Sequence, residues 1–319
     1  MSDGGRKRRR HRGGLVVGVA VVALAALALA PASAAASACC LSAGAYGLGR
    51  LTQWERVSVS FDGVGRLALG YWTNAGVVRD VHSDNATRSA TATLGVLMRA
   101  GTATTLWFRA PWTLTGRGGA VGDHDVMRFG HGVGDLDLGA RYDWIAVGAH
   151  SRLPGVATTL GLVVPSGRTT AQASDALGVD VTGRGQLIVA ASAIAEWTSV
   201  PWYGRASVGG RVGIRESAGW RDGIGVDIEL AAGRELVDAV VMSAVLSWHA
   251  NASRSYRGAA ISGSEAQSAR AGLALAWKFA RGWSLRGQAN VAPPFARLGR
   301  NQDIDVAVGA GLRFAVDTQ

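Results

Sequence analysis

Charged residues recur at every second position in several apolar segments of this chain. Asp135, Asp137, Arg141 and Asp143 form the densest run, with apolar or small residues between them. A spacing of two places side chains on one face of a β-strand. The same parity, followed along the chain, selects fourteen candidate functional residues: Arg109, Asp135, Asp137, Arg141, Asp143, Glu196, Arg205, Arg211, Asp227, Glu229, Arg270, Arg286, Asp305 and Arg313.

Acidic and basic side chains on neighbouring strands can do two kinds of chemistry. They can form cross-strand ion pairs that hold a narrow, partly dry interior together. They can also form a constriction that selects solutes by charge. The sequence leaves both readings open, and the two can coexist.

Catalytic and ligand-binding motifs are not evident. No Gly-x-Ser-x-Gly nucleophile elbow occurs. Asp123, His124 and Asp125 have no further run of ligands to complete a metal site. The glycine-rich stretch 130–134 lacks the Lys-Ser/Thr of a phosphate-binding loop. We therefore expect neither an enzyme nor a bound cofactor or metal.

The opposite face of the same segments is apolar. In the segment 201–214, Trp202, Val208 and Val212 alternate with Arg205 and Arg211. Only a closed sheet can satisfy every backbone group in lipid while one face meets hydrocarbon and the other meets water. The pattern predicts an all-β fold, a single antiparallel transmembrane β-barrel whose charged face lines the lumen. The eleven tryptophans are predicted in the main to be interfacial anchors near strand ends.

Twelve segments have the length and alternation of membrane-crossing strands. The gaps between them alternate between long and short, as expected for outward loops and periplasmic turns. The predicted strands are 54–73, 88–98, 103–115, 133–146, 156–165, 186–198, 202–214, 224–233, 238–250, 268–280, 283–292 and 304–316. The long gaps are 74–87, 116–132, 166–185, 215–223, 251–267 and 293–303. A hairpin at 62–65 would split the first strand, and fourteen strands are the alternative.

The first 38 residues have the features of a cleaved export signal. A basic start, an apolar run over 15–30 and the small residues Ala36, Ser37 and Ala38 follow one another. This predicts a signal peptide over 1–38, a short periplasmic segment over 39–53 and a bacterial outer-membrane barrel over 54–319. Cys39 and Cys40 are the chain's two cysteines, and adjacent cysteines are poorly placed to bridge each other.

The leader accounts for much of the chain's positive charge. It holds six of the 33 Lys and Arg and one of the 23 Asp and Glu, which leaves 27 against 22, or +5 in place of +10. Both signs are scattered along polar stripes, whereas a nucleic-acid binder clusters Arg and Lys on one face. We expect contact with outer-membrane lipid and a small-molecule solute, and no nucleic acid.

Two stretches carry a more specific motif. They are Gly132–Tyr142, with the pattern Gly-x-Gly-Asp-hydrophobic-x-hydrophobic-Gly-x-x-Tyr, and Thr159–Gly167, which ends in Val-Pro-Ser-Gly. They resemble the outer-membrane barrel family named for the MetA pathway of phenol degradation, which tends to have Leu and Thr at positions 164 and 166. The resemblance implies a porin-like channel or transporter, in some members associated with the uptake of hydrophobic or aromatic compounds.

The sequence therefore predicts an outer-membrane channel for the passive and selective passage of small molecules. A barrel of twelve strands encloses a narrower lumen than the sixteen to eighteen of general porins, and charged side chains crowd it. The alternative is a closed structural or surface-recognition barrel, with the long loops as its contact surface.

Overall fold

The computed structural model describes residues 50–52, 54–80, 87–121, 124–147, 153–214, 219–293 and 298–317. The predicted signal peptide and both cysteines lie outside these ranges. The described strands are β1 (Glu55–Trp72), β2 (Val78–Asp80), β3 (Arg88–Arg99), β4 (Thr104–Val121), β5 (His124–Val133), β6 (Leu136–Ile145), β7 (Gly155–Val164), β8 (Ile188–Ser199), β9 (Trp202–Gly213), β10 (Trp220–Arg221), β11 (Gly225–Val237), β12 (Val240–Asn251), β13 (Ser255–Tyr256), β14 (Ala259–Ala260), β15 (Ala266–Ala280), β16 (Trp283–Val291) and β17 (Gln302–Asp317).

Twelve of these strands close into an antiparallel barrel. The ring runs β1, β3, β4, β6, β7, β8, β9, β11, β12, β15, β16 and β17, and β17 pairs with β1 from Asp317 opposite Glu55 to Gln302 opposite Trp72. Residues 62–65 lie within the continuous strand β1 and pair on both sides. The prediction of twelve strands is therefore confirmed, and the fourteen-strand alternative is wrong.

The two faces of the wall have the predicted polarity. On β1, Phe61 is 60% exposed and Leu69 48% exposed, whereas Ser58 and Ser60 are 3% exposed on the opposite face. Large apolar side chains thus point outward, where a bilayer would cover them. Small polar and charged side chains point inward, as in the polar interior of outer-membrane barrels.

The predicted loop 116–132 has regular structure instead. β4 continues past the barrel rim and pairs with β5, from Trp112 opposite Val133 to Val121 opposite His124. The chain then bends at residues 134–135 into β6, which pairs with the first half of β4. The glycines at 116, 118 and 119 look like loop sequence, but their backbone groups extend the ladder of hydrogen bonds. A two-stranded hairpin therefore projects from the end of the barrel that carries the long connections, here called the outer end.

A second, smaller sheet lies at the same end. β10, β13 and β14 pair in that order, between the connections that follow β9 and β12. The one short helical turn in the described residues is a 3-10 turn at Thr170–Gln172. Within the described residues, no helix has the length and apolarity to span a bilayer.

Candidate functional site

The half of the lumen away from the outer end contains a buried cluster of charges. Arg141 on β6 donates from Nη2 to Oε2 of Glu196 on β8 at 2.7 Å, and from Nε to Oδ1 of Asp143 at 2.9 Å. Glu196 is only 4% exposed. The two carboxylates therefore share the guanidinium of Arg141, which would otherwise be a buried charge without a partner, and this stabilises the wall where β6 and β8 face the lumen.

The segment before the first strand reaches the same cluster. Nη1 of Arg50 lies 3.7 Å from Oε2 of Glu196. β8 is five strands away from β1 around the ring of twelve, so Arg50 spans the inside of the barrel. Leu51 is 2% exposed, and the backbone oxygen of Thr52 accepts a hydrogen bond from Arg99 on β3. The predicted periplasmic segment thus enters the lumen with its last residues.

A second network lies on β9, β11 and β12. Nη1 of Arg211 lies 3.8 Å from Oδ1 of Asp227, and Nδ1 of His249 lies 2.5 Å from the same oxygen. Nη2 of Arg211 donates to Oδ1 of Asn251 at 3.2 Å. Asp227 and His249 are direct cross-strand partners, so the strand register itself builds this contact.

The remaining wall carries three further pairs, two of which span the closure of the barrel between its last strands and β1. Nη2 of Arg270 donates to Oδ2 of Asp305 at 2.9 Å, and Arg313 binds Glu55 through two hydrogen bonds of 3.0 and 2.7 Å. Nη2 of Arg286 lies 3.6 Å from Oδ1 of Asp62. Glu55 and Asp62 were missed from the sequence. Glu55 stands at the very start of a strand, and Asp62 is part of an apparent turn, although its parity matches that of Arg66.

Thirteen of the fourteen predicted residues form ion pairs in the structure. The pairs not yet described are Arg109 with Asp137, and Arg205 with Glu229 at 3.8 Å. Asp135 is the exception, because it lies between β5 and β6 and not on a strand. The structure thus places the predicted charges on the inner wall as a paired network.

The two halves of the sequence motif meet around Asp135. Its Oδ1 accepts a hydrogen bond from the backbone N–H of Gly167 at 3.0 Å, and its Oδ2 accepts one from that of Arg184 at 2.7 Å. Ser166 donates from Oγ to the backbone oxygen of Gly134 at 2.8 Å. Gly167 and Gly183 pack so closely that a Cβ on either would collide with the other's backbone. The motif therefore anchors both ends of the connection 165–187, here called the mouth loop.

The mouth loop packs against the inner face of the projecting hairpin. Val179 is 1% exposed, and its backbone fills the space that a Cβ on Gly130 would need. Nη1 of Arg117 donates to the backbone oxygen of Leu177 at 2.8 Å. Oγ1 of Thr182 donates to the backbone oxygen of Val133 at 2.6 Å. The hairpin therefore serves as a wall that holds the loop at the outer mouth.

Asp180 holds the fold of the mouth loop from within. It accepts hydrogen bonds from the backbone N–H of Ser174 at 2.9 Å, from the Ser174 hydroxyl at 2.8 Å and from Arg168 at 2.8 Å. These bonds, the backbone one above all, hold the pKa of the Asp180 carboxyl well below its usual range.

Replacing Asp180 by Asn is expected to loosen this loop. Because its pKa is lowered, the carboxylate stabilises the loop fully at pH values above the usual carboxyl pKa. This stabilisation is lost only as the pH falls through the lowered pKa of Asp180. Wild-type protection of the Ser174 amide in hydrogen exchange should therefore persist at about pH 4, near the ordinary carboxyl pKa. The Ser174 amide of D180N should exchange faster at pH 7. Equal exchange rates in the two proteins would contradict this role.

A cavity of about 680 Å³ lies beneath the mouth loop. Arg109, Arg211, Asp227 and Glu229 of the wall line it together with residues 181–184 of the loop. A second cavity of about 830 Å³ lies against Ser166, Arg168 and His131. The mouth loop lines both, so its position controls the space at the outer end of the lumen.

Trp107 was missed as a lumen residue. It has the opposite parity to Leu106 and Phe108, and it lines the 680 Å³ cavity. Its ring occupies the space that a Cβ on Gly139 would need, and Nε1 donates to Oδ1 of Asp137 at 3.1 Å. Its parity matches that of Arg109, but the sequence pattern predicts the tryptophans in the main to be interfacial anchors and does not single out Trp107.

Comparison with protein families agrees with this architecture. The family model described as "Putative MetA-pathway of phenol degradation" matches residues 73–296. The chain belongs to this family. The match begins directly after β1 and ends in the connection between β16 and β17. It includes both halves of the motif around Asp135, so the resemblance seen in the sequence is confirmed.

Solved structures similar to this member of the MetA-pathway family are outer-membrane barrels. The COG4313 outer membrane channel from Pseudomonas putida F1 has a TM-score of 0.65 at 14% identity, covering 84% of this chain and 97% of that one. The translocator domain of autotransporter NalP from Neisseria meningitidis has a TM-score of 0.48 at 13% identity, covering 94% and 97%. A search of curated proteins found no match. The first likeness supports the fold of a bacterial outer-membrane barrel.

Proposed function

We propose that this chain is an outer-membrane channel through which small molecules pass selectively. The observation that carries the proposal is the 680 Å³ cavity within the closed barrel, which combines an aromatic ring with charges of both signs. Its size is in the range of cavities that hold small organic ligands.

The chemistry of the cavity favours solutes with a flat apolar part. The six-membered part of the Trp107 ring covers Gly139, and the guanidinium groups of Arg109 and Arg211, each paired with a carboxylate, line the same cavity. Uptake of aromatic compounds, which the family resemblance implies for some members, agrees with this combination.

Swelling of proteoliposomes tests the proposal with two matched solutes. Benzoate and cyclohexanecarboxylate have the same charge and similar size, but only benzoate can stack on Trp107. Wild type should pass benzoate roughly 2–10-fold faster, the equivalent of one aromatic contact of about 0.5–1.5 kcal/mol. W107A should lose this preference, and W144A, which removes an exposed outward tryptophan, should keep it.

A closed structural or recognition barrel is the second candidate function. The paired charges of the inner wall and the Arg50–Glu196 contact across the lumen favour it. Planar bilayers distinguish the two candidates, because a channel gives discrete conductance steps. Inserted protein that gives neither conductance nor solute flux would contradict passage and support the closed barrel.

A further inference from the structure

The small outer sheet carries a pair of exposed aromatic side chains. Trp220 on β10 lies directly opposite Tyr256 on β13, with ring centroids 4.9 Å apart and planes inclined by 47°. Ala259 on β14 is the next residue on the same face. Trp220 is 45% exposed and Tyr256 37% exposed. These residues, with Arg257, are here called the aromatic platform.

Arg257 places a positive charge at the edge of the platform. Its guanidinium carbon lies 5.2 Å from the centroid of the Tyr256 ring. Arg257 and Gly258 form the turn between β13 and β14 with φ of 48° and 83°, the two positive values of a type I′ hairpin. The N–H of Arg257 donates to the backbone oxygen of Gly219 at 2.6 Å. The turn therefore holds this arginine close to the Tyr256 ring.

The other face of the sheet is fixed over the lumen. Arg221, on that face, packs against the inner side of β9 near Gly213. Gln186 of the mouth loop donates to the backbone oxygen of Trp220 at 3.3 Å and accepts from the N–H of Asp222 at 3.0 Å. Asp222 in turn forms an ion pair with Arg254, whose Nε lies 3.0 Å from its Oδ1. Because successive side chains point to opposite faces, the aromatic platform faces away from the lumen.

The barrel surface next to the platform is the one that faces lipid. Ile214, at the end of β9, is 55% exposed, and Ile224, just before β11, is 64% exposed. Both continue the outward apolar rows of their strands, with Val212 and Val226. Ile224 follows Trp220 by four residues, so the platform stands at the outer end of this apolar surface. Aromatic side chains of membrane proteins are enriched at that level, where acyl chains give way to headgroups.

We propose that the aromatic platform binds the phosphorylated sugar headgroup of an outer-leaflet glycolipid. The ring faces of Trp220 and Tyr256 offer an apolar surface for the C–H face of a sugar, and their polar edges suit the interface. The guanidinium of Arg257 can bind phosphate through two parallel hydrogen bonds. The platform continues the lipid-facing surface and carries the complementary charge. This site is separate from the lumen and does not depend on solute passage.

Binding of lipid A to the purified full chain in detergent tests the proposal. The probes are bisphosphorylated lipid A, monophosphoryl lipid A and phosphatidylglycerol, with the dissociation constant measured by microscale thermophoresis. Wild type should bind bisphosphorylated lipid A more tightly than either of the other two. The double variant W220A/Y256A should weaken this binding about tenfold, the sum of two modest aromatic contacts.

Two further variants separate recognition from general effects. The pair Tyr142 and Trp144, with centroids 4.7 Å apart and both exposed, lies at the opposite end of the barrel. Y142A/W144A should therefore bind lipid A as wild type does. R257K keeps the charge but loses the planar fork, so it should weaken lipid A binding without changing phosphatidylglycerol binding.

The proposal is overturned by several outcomes. Equal affinity of W220A/Y256A and wild type for lipid A would exclude the platform as the site. Equal affinity of wild type for phosphatidylglycerol and lipid A would show that the platform recognises the negative charge of a lipid and not its sugar. Competition of lipid A by inorganic phosphate at millimolar concentration would show a free-phosphate site and not a glycolipid site. Heat-shifted gel mobility confirms that each variant is folded before it is compared.

Discussion

Replacing Glu55 by Ala is expected to destabilise the barrel by about 3–5 kcal/mol, the usual cost of leaving one partner of a buried ion pair uncompensated. Arg313 is 3% exposed and Glu55 7% exposed, and two hydrogen bonds join them across the junction of β17 and β1. Glu55 also accepts the backbone N–H of Thr52 at 2.8 Å. The substitution therefore acts at the one place where the ends of the sheet must meet.

The chain offers a matched control at the same junction. Arg281 and Asp317 form an ion pair of 3.5 Å near the end of β17, but their side chains are 70% and 32% exposed. D317A should cost about 0–1 kcal/mol, as exposed pairs do. The free energy of unfolding is measured in lipid vesicles by tryptophan fluorescence against urea concentration.

A second variant separates the charge from the packing. In E55L/R313L both charges are removed together, so no buried guanidinium is left without a partner, and most of the stability should return. If E55A unfolds within about 1 kcal/mol of wild type, an amount typical of an exposed pair, the Arg313–Glu55 contact does not stabilise the closure.

The fold could be predicted from the sequence because the alternation of apolar and polar residues within each strand shows which of its faces meets lipid and which meets the lumen. Alternation is a local property, and lipid on one side and water on the other impose it on every strand. The predicted bounds of β3 and β9, 88–98 and 202–214, differ from the observed ones by one residue at one end. The length of the gaps then gave the strand number, since short and long connections alternate around a barrel.

The partners of the charges could not be predicted in the same way. Parity gives the face of each residue, but a curved wall brings together side chains on strands that are not neighbours. Arg270 on β15 and Asp305 on β17 meet across β16. Arg141 and Glu196 likewise meet across β7. Such contacts depend on the tilt and curvature of the barrel, which the sequence pattern does not contain.

The conformation of the long connections could not be predicted from the sequence either. The stretch 116–132, rich in Gly and Asp, has the composition of a loop, yet most of it forms the β4–β5 hairpin. Asp135 has the parity of the lumen charges, but its carboxylate binds two backbone N–H groups of the mouth loop. The motif by which the sequence resembles the family therefore positions the mouth loop. Its bonding partners, the backbone N–H groups of Gly167 and Arg184, are evident only in the structure.

Asp135→Ala should release the mouth loop and raise the conductance of the channel. Asp135 binds the N–H groups of Gly167 and Arg184, near the two ends of the loop. Hydrogen bonds to a charged group contribute roughly 1.5–3 kcal/mol each. The loss of both should raise the population of the released loop by a factor on the order of a hundred or more. Because residues 181–184 line the 680 Å³ cavity, release widens the outer mouth.

Single-channel recording in planar bilayers measures this effect directly, and D175N is the control on the same loop. Asp175 lies 3.9 Å from Arg128, whose side chain is 53% exposed, so this pair adds little to the hold on the loop. D135A should show larger or more frequent open levels than both wild type and D175N. An unchanged conductance in D135A would mean that the loop does not limit passage, and the narrowest point would then lie deeper, where Arg50 meets Glu196 across the lumen.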